Sequence, residues 1–281
     1  MDVKLNRLFF VFLDRVCYIA GMESNIDVER RFGGVSRLYG EAGLAKLQAA
    51  HVVVIGIGGV GSWAAEALAR NAVGRITLID LDNVAESNFN RQLHAVEGNE
   101  GKAKVTAMRE RILSINPHCQ VQEIEDFVAL SNVDKLLKLT CDVVVDCIDD
   151  AQAKVALADH CKRNAQALVI VGSAGGRLDP TRMQVADLAQ VTGDRLLAKV
   201  RNQLRRDYGF PKASNTKKSA KFGVLCVYSD ESAIKPDQVC DTTESTSITG
   251  LNCAGYGSSV CVTAPFGFAA AQLALNFIVK P

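Results

Sequence analysis

Short apolar runs alternate with longer amphipathic stretches between residues 51 and 171. The runs are rich in β-branched residues and have the length of buried strands, whereas the stretches between them repeat apolar positions at helical spacing. This pattern predicts strands at 51–55, 75–80, 120–124, 142–147 and 168–171, and helices at 60–71, 102–115, 130–139 and 151–164. Such alternation is typical of a doubly wound sheet, so we predict an α/β fold with a Rossmann-like, mainly parallel sheet.

The alternation stops after residue 171. Further strands are predicted at 183–186 and 224–228 with a basic stretch between them, so we expect a carboxy-terminal extension of mixed strands and helices. Residues 250–279 carry no charge and are long enough to span a bilayer, but they contain a proline, several glycines and polar residues. This composition favours a buried loop followed by a core helix, and we expect no association with a membrane.

The composition argues against several classes of protein. The chain has 281 residues, of which 48% are apolar, and nine cysteines, none of them spaced as CxxC. Because disulfide scaffolds are typical of small secreted chains, we expect reduced thiols in a cytoplasmic protein and no structural zinc site. The apolar run at 8–13 is too short for a secretory signal, and Met22 is a second candidate for the start of translation.

A glycine-rich loop follows the first predicted strand. It contains Gly56, Gly58, Gly59 and Gly61 between a strand and a helix. Glycines let the backbone approach a phosphate, whose charge the amino terminus of the next helix stabilises. Asp80 ends the second strand, where an acidic side chain binds ribose hydroxyls. By themselves these residues predict a nucleotide site that suits NAD as well as ATP.

The polar residues after the second strand favour ATP. Asp82 is followed by Ser87, Asn88 and Arg91 within SNFNRQ, and then by Lys104 within GKAK. An enzyme that cleaves a triphosphate needs cations that neutralise the leaving pyrophosphate, for which a dehydrogenase has no use. The sequence therefore predicts that Arg91 and Lys104 are catalytic residues at the phosphates of ATP.

Two carboxylates, Asp149 and Asp150, follow the strand predicted at 142–147. Ligands of doubly wound sheets bind at the carboxyl ends of the strands. Carboxylates at such an edge are suited to magnesium. We therefore predict that both residues belong to the nucleotide site and that Asp149 holds magnesium together with ATP.

The motifs GxGGVGS, DxD, SNxxRQ, GxxK and DCxD occur in this order between residues 31 and 171. In this arrangement the chain resembles the ubiquitin-activating-enzyme-like adenylyltransferases. The resemblance implies a phosphate loop at Gly59, a ribose contact at Asp80, triphosphate contacts at Asn88 and Arg91, a phosphate contact at Lys104 and a metal-associated carboxylate at Asp149.

The resemblance also implies a homodimer in which an arginine near the amino terminus reaches the ATP of the partner subunit. Gly34 occupies the position of that arginine in this chain, so we assign its catalytic role to Arg37. We divide the chain into an amino-terminal extension at 1–30, an ATP-binding adenylation region at 31–175, and a region at 176–281 that supports substrate binding and the dimer. The last region is expected to be continuous with the same domain.

The segment at 195–221 has nine lysines and arginines and a single acidic residue. Such a cluster is typical of surfaces that bind a nucleic-acid backbone, although a solvated basic face without a partner stays an alternative. Tyr208 and Phe210 are candidates for stacking on a base. The candidate RNA contacts are Arg201, Arg205, Arg206, Lys212, Lys217, Lys218 and Lys221.

Three carboxy-terminal segments, at 222–231, 251–259 and 263–268, resemble the bacterial tRNA threonylcarbamoyladenosine dehydratases within that superfamily. This resemblance implies an enzyme that adenylates the threonyl carboxylate of the modified adenosine beside the tRNA anticodon and then cyclises it, releasing AMP and pyrophosphate. Cys253 becomes a candidate reactive thiol, with a buried structural thiol as the alternative, and a cysteine-desulfurase system becomes a candidate partner.

Two other functions stay open at this point. One is activation of the carboxyl terminus of a ubiquitin-like sulfur carrier, but enzymes of that type usually carry two CxxC pairs, which this chain lacks. The other is an NAD(P)-binding oxidoreductase or regulatory module, against which the motifs SNFNRQ and GKAK argue.

Overall fold

The computed structural model describes residues 27–212, 220–234 and 256–280. Along the chain the elements are α1 (Val28–Ala49), β1 (His51–Ile55), α2 (Gly61–Arg70), β2 (Arg75–Ile79), α3 (Lys104–Ile115), β3 (Gln120–Ile124), α4 (Val133–Leu136), β4 (Val143–Asp146), α5 (Ala151–Arg163), β5 (Ala167–Val171), β6 (Met183–Asp187), α6 (Arg195–Asp207), β7 (Leu225–Ser229) and α7 (Val260–Val279). Two short 3₁₀ turns lie at Glu86–Asn88 and Pro180–Arg182.

The seven strands form one sheet in the order β3-β2-β1-β4-β5-β7-β6. All neighbouring pairs are parallel except β6 with β7, whose antiparallel register places Asp187 opposite Leu225. The predicted α/β class with a mainly parallel, doubly wound sheet is therefore confirmed. The predicted mixed extension is also confirmed, since β6, α6, β7 and α7 continue the same sheet and its helical layers.

Helices cover both faces of the sheet. Along β1, Val52 and Val54 face the core beneath α2, α3 and α7, whereas Val53 and Ile55 face the core beneath α5 and α6. Every residue of β1 is buried, as expected for a parallel strand covered on both sides. The carboxyl ends of the central strands are left as the open edge.

The last helix closes one of these cores. α7 packs so closely on α2 that a Cβ on Gly267 would lie 2.5 Å from the carbonyl oxygen of Val60 and 2.8 Å from Cβ of Trp63. Phe266 and Ala270 are fully buried in the same core. Among the described helices, α7 alone is long and apolar enough to cross a membrane, and half of its apolar window is buried within the protein. The helical part of the expectation for 250–279 is thus confirmed.

The pattern along the chain did not predict α1. This helix begins after the N-cap Asp27, whose Oδ1 accepts a hydrogen bond from the backbone N–H of Arg30, and it kinks at Gly40, where φ is 76°. The helix predicted at 130–139 was too long, because only Val133–Leu136 is helical.

Candidate active site

The carboxyl ends of β1, β2, β4 and β5 border a cleft of about 730 Å³. The cleft lies where β1 and β4 are neighbours and the chain leaves the two strands towards opposite sides, which is the usual ligand position in such sheets. Predicted site residues that line it are Gly56, Gly59, Asp80, Asp82, Arg91, Asp149 and Asp150. The structure therefore brings the separate sequence motifs to one place.

The glycine loop is tight enough to require glycine at two positions. Gly56 has φ of 83°, and a Cβ there would lie 3.0 Å from the backbone of Cys147. A Cβ on Gly61 would lie 1.8 Å from the carbonyl oxygen of Gly56. Since α2 begins at Gly61, this packing directs the amino terminus of the helix towards the cleft, where it favours an anion.

Asp80 fastens this loop to the end of β2. Its Oδ2 accepts a hydrogen bond from the backbone N–H of Ile57 at 2.6 Å, and its Oδ1 accepts one from Asp82 at 2.9 Å. Burial raises the pKa of Asp80, while the nearby Lys104 ammonium and these two amides oppose that rise. The carboxylate thus borders the cleft in a fixed orientation, as a ribose ligand requires.

Lys104 stands behind the rim of the cleft. Its side chain is buried, and Nζ forms an ion pair with Oδ2 of Asp82 at 2.7 Å. Asp82 itself is largely exposed and lines the cleft. Lys104 therefore compensates the charges of Asp80 and Asp82, and its predicted phosphate contact stays a prediction.

Arg91 lies across the glycine loop. A Cβ on Gly59 would lie 3.1 Å from Cγ of Arg91, and Arg91 Nη1 donates to the carbonyl of Ser87 and to Oδ1 of Asn90, both at 2.8 Å. The indole Nε1 of Trp63 donates to the carbonyl of Arg91 at 3.0 Å. Burial lowers the pKa of Arg91, and the charge of Asp149 opposes the change. The guanidinium thus belongs to a side chain that packs on the glycine loop, and the Asp149 carboxylate of the same cleft is close enough to affect its charge.

Ser87 and Asn88 shape the segment that carries Arg91. The buried Asn88 accepts a hydrogen bond from the backbone N–H of Ala85 through Oδ1 at 3.1 Å. Ser87 is exposed and accepts from Arg91 through its carbonyl. These contacts give both residues a supporting role, and their direct contact with a nucleotide stays a prediction.

Asp149 and Asp150 differ in their surroundings. Oδ1 of Asp150 accepts a hydrogen bond from the backbone N–H of Ala153 at 2.8 Å and so caps α5. Asp149 lines the cleft beside Arg91. The described residues contain no group of three or more metal-binding side chains. One carboxylate at a phosphate site nevertheless fits magnesium, which commonly takes one or two carboxylates and completes its shell with phosphates and water.

An apolar rim of the cleft was missed in the sequence. Phe127 and Leu130 follow β3, line the cleft and are 61% and 63% exposed. Val128 and Ala129 lie between them in the same wall. Exposed apolar side chains of this kind suit the flat face of a nucleobase. The available signal was an apolar FVAL run placed just beyond a strand end.

Arg37 does not line the cleft of its own chain. It lies on α1, where its Nη1 is 3.5 Å from the position of a Cβ on Gly33. The assignment to a partner subunit therefore stays a prediction.

The arginines of the basic segment lie on α6, but they make local contacts. Arg201 donates to the carbonyl of Val191, and Arg205 donates to the carbonyl of Pro211 at 3.1 Å. Arg206 forms a bidentate ion pair with Asp207 at 2.8 Å. Burial lowers the pKa of Arg201, and the nearby charge of Arg205 adds to that effect.

The lysines of the segment differ in what the structure describes. Lys212 and Lys221 are exposed, while Lys217 and Lys218 lie outside the described residues. The RNA contacts of the segment stay predictions.

The prediction that Phe210 stacks on a base is wrong. Its ring is 2% exposed and packs on Phe222 with 4.9 Å between centroids, with the ammonium of Lys162 3.8 Å above it. Tyr208 packs against the same core. The two aromatic residues that follow α6 therefore pack into the core and do not form a binding surface.

The candidate thiol Cys253 lies outside the described residues. The thiol that does line the cleft, Cys147, is a poor nucleophile, because burial raises its pKa to about 12 and the charge of Asp146 acts in the same direction.

Comparison with known proteins agrees with this geometry. The model of the ThiF family matches residues 33–281. The chain is 47% identical to the tRNA threonylcarbamoyladenosine dehydratase of Escherichia coli K12 over 88% of this chain and 92% of that protein. It is 46% identical to the enzyme of the same name from Haemophilus influenzae over 90% of this chain and 94% of that protein.

A solved structure provides the same comparison in three dimensions. The crystal structure of the E. coli dehydratase in complex with ATP superposes with a TM-score of 0.79 at 45% identity, covering 89% of this chain and 95% of that chain. The match spans both the Rossmann-like half and the carboxy-terminal extension. The chain therefore belongs to the ThiF family and, within it, to the tRNA threonylcarbamoyladenosine dehydratases.

Proposed function

We propose that this protein is an ATP-dependent enzyme that converts threonylcarbamoyladenosine in tRNA to its cyclic, dehydrated form. The observation that carries the proposal is the convergence of Gly59, Arg91 and Asp149 in one cleft, within a chain that matches named dehydratases over almost their whole length. The exposed apolar side chains of Phe127 and Leu130 suit the adenine of ATP, and Asp80 suits its ribose.

The arrangement supplies what adenylation of a carboxylate needs. A carboxylate is a poor electrophile because its leaving group would be oxide. One of its oxygens attacks the α-phosphorus of ATP, the bond from that phosphorus to the pyrophosphate oxygen breaks, and an acyl-adenylate forms. The amino terminus of α2 and the guanidinium of Arg91 stabilise the negative charge that collects on the phosphates. Magnesium, held by Asp149 and the phosphates, would neutralise further charge on the leaving pyrophosphate.

Ring closure needs no nucleophile from the protein. The carbamoyl group of the same substrate attacks the activated carbonyl, loses a proton, and expels AMP. An oriented intramolecular nucleophile supplies about 7–11 kcal/mol of the barrier reduction. This agrees with the raised pKa of the cleft thiol Cys147, which no step uses.

The proposal extends to the substrate surface and the assembly. We place tRNA contacts on the exposed Lys212 and Lys221 and their neighbours in the basic segment, with Arg206 at the end of α6. A homodimer would bring Arg37 of each subunit towards the cleft of the other. We also place the enzyme in the cytoplasm, where tRNA is modified, and propose a cysteine-desulfurase system as a partner.

The test is nucleotide turnover against defined substrates. AMP and pyrophosphate should form in stoichiometric amounts when tRNA carrying threonylcarbamoyladenosine is added. With tRNA that lacks the modification, ATP turnover should not rise above background. A ubiquitin-like sulfur carrier serves as the competing substrate. Turnover that depends on the carrier and ignores the modified tRNA would contradict the proposal.

A further inference from the structure

A buried ion pair lies beneath the cleft, and no step of the proposed reaction uses it. Nζ of Lys154, on α5, is 3.0 Å from Oδ1 of Asp146, the last residue of β4, and both side chains are fully buried. The attraction between two buried charges seldom exceeds the cost of removing them from water. Stability alone therefore gives no reason for this pair.

The pair holds the turn that carries Asp149. Oδ1 of Asp146 also accepts a hydrogen bond from the backbone N–H of Ile148 at 3.0 Å. On the helical side, the backbone N–H of Lys154 donates to the carbonyl of Asp150 at 3.2 Å, and the side chain of Asp150 caps the helix. The turn is thus fixed from the strand and from the helix, and its middle residue, Asp149, lines the cleft.

We infer that Asp146 and Lys154 are positioning residues, whose ion pair fixes the turn so that Asp149 presents its carboxylate to the nucleotide phosphates beside Arg91. The inference rests on the proposed function for the identity of the ligand. The pair should therefore affect the binding affinity for ATP with magnesium. It should not affect the affinity for AMP, which lacks the phosphates that Asp149 would face.

The other explanation, that the pair only joins β4 to α5, can be separated from this one. Replacing a buried ion pair with apolar residues of similar size often preserves stability. Oδ2 of Asp146 has no hydrogen-bond partner among the described residues, so its removal breaks no bond there. The double variant Asp146→Leu/Lys154→Met should therefore fold, while the hydrogen bond to Ile148 and the charge pair are lost.

The experiment measures binding, stability and turnover of this variant. We expect a urea midpoint and an AMP dissociation constant like those of the parent. The gain in ATP affinity on adding magnesium, and kcat with modified tRNA, should each fall about 10–100-fold, the usual effect of losing a group that orients a metal ligand. Parent-like values of both quantities, or an equal loss of AMP binding, would overturn the inference.

A second variant covers the case in which the first does not fold. Asp146→Asn/Lys154→Met is nearly isosteric and keeps an acceptor for Ile148, and it should show the same losses at reduced size. If the first variant is unfolded, parent-like magnesium dependence and kcat in this one would overturn the inference.

A matched control is Asp187→Asn at the opposite edge of the sheet. Asp187 is also buried and accepts hydrogen bonds from the backbone amides of Ala189, Phe222 and Gly223. This variant should lower the urea midpoint and leave the magnesium dependence unchanged. If the parent itself shows no turnover with modified tRNA, the proposed function fails, while the comparison of ATP with AMP still tests the positioning role.

Discussion

Replacing Arg91 with alanine tests the assignment of the triphosphate site. The guanidinium lies over Gly59 and beside Asp149, so it is placed where charge collects on the departing pyrophosphate. Losing one preorganised donor to a transition-state anion costs about 2.7–4 kcal/mol, so kcat for ATP turnover should fall about 100–1,000-fold. The assay is release of pyrophosphate with saturating modified tRNA.

Folding should be affected much less than turnover. Arg91 is half-buried, and two of its hydrogen bonds go to the Ser87 carbonyl and to the side-chain amide of Asn90. Because burial also disfavours its charge, we expect the free energy of unfolding to change by about 1 kcal/mol. The control is Arg182→Ala, which removes an ion pair with Asp230 at 2.8 Å outside the cleft and should retain parent turnover. A folded Arg91→Ala enzyme with more than half of the parent kcat would refute the assignment.

Four further outcomes are expected. Gly61→Ala should destabilise the protein by about 3 kcal/mol and abolish ATP binding, because its Cβ would meet the carbonyl of Gly56; calorimetric binding at parent affinity would contradict this. ATP at 100 times its dissociation constant should stabilise the fold by about 2.7 kcal/mol, and NAD should not; equal stabilisation by NAD would reopen the oxidoreductase hypothesis. Burial, aided by Lys104, lowers the pKa of His94 to about 4, below its ordinary 6.5. The free energy of unfolding therefore has its full value above pH 6.5 and falls by about 3 kcal/mol as the pH decreases from 6.5 to 4, because the unfolded state binds the proton first. Urea titrations should show a weaker loss of stability at acid pH for His94→Phe than for the parent. Neutralising the lysines Lys212 and Lys221 should flatten the salt dependence of tRNA binding by up to about 1 unit of slope each, while ATP affinity stays unchanged; a parent-like slope would leave the segment as a solvated surface.

The strands could be predicted closely because their information is local. The run at 51–55 is the strand His51–Ile55, and the prediction for 120–124 matches Gln120–Ile124. A parallel strand that is covered on both faces, such as His51–Ile55, is nearly continuously apolar, whereas Gln120–Ile124 at the edge of the sheet mixes polar and apolar residues and is only partly buried. Both patterns can be recognised without knowledge of the neighbouring strands. The strand ends then located the cleft, because parallel strands place their carboxyl ends at a single edge.

The side-chain partners could not be predicted in the same way. The sequence shows that Arg201 and Arg205 lie one turn apart, but not that backbone carbonyls of Val191 and Pro211 satisfy them. The prediction for Phe210 failed for the same reason, since its burial depends on a contact with Phe222, which lies further along the chain. The partners of these arginines and the burial of this phenylalanine depend on contacts between residues that are distant in sequence. The charge or aromatic character of a residue alone does not predict such contacts.

The apolar rim and the buried ion pair show a further limit of sequence patterns. The apolar character of Phe127 and Leu130 alone would suggest core residues, although both side chains are exposed in the wall of the cleft. Lys154 reads as a surface residue of an amphipathic helix, although it is fully buried against Asp146. In both cases the residues lie at or beneath the edge of the sheet where the ligand would bind. There the local sequence pattern does not predict whether a side chain is buried, because binding and packing favour different residues.

The close packing of α7 on α2 has a consequence for biosynthesis. The helix that begins at the glycine loop leaves the ribosome early, whereas the helix that covers it, Val260–Val279, follows only after all seven strands of the sheet. The core around Leu68 stays open until Phe266 and Ala270 arrive to fill it. Amino-terminal units of larger proteins commonly fold during synthesis. Here the nucleotide site can reach its final rigidity only after Val260–Val279 has been synthesised, so a nascent chain that still lacks this helix should be unable to hold ATP.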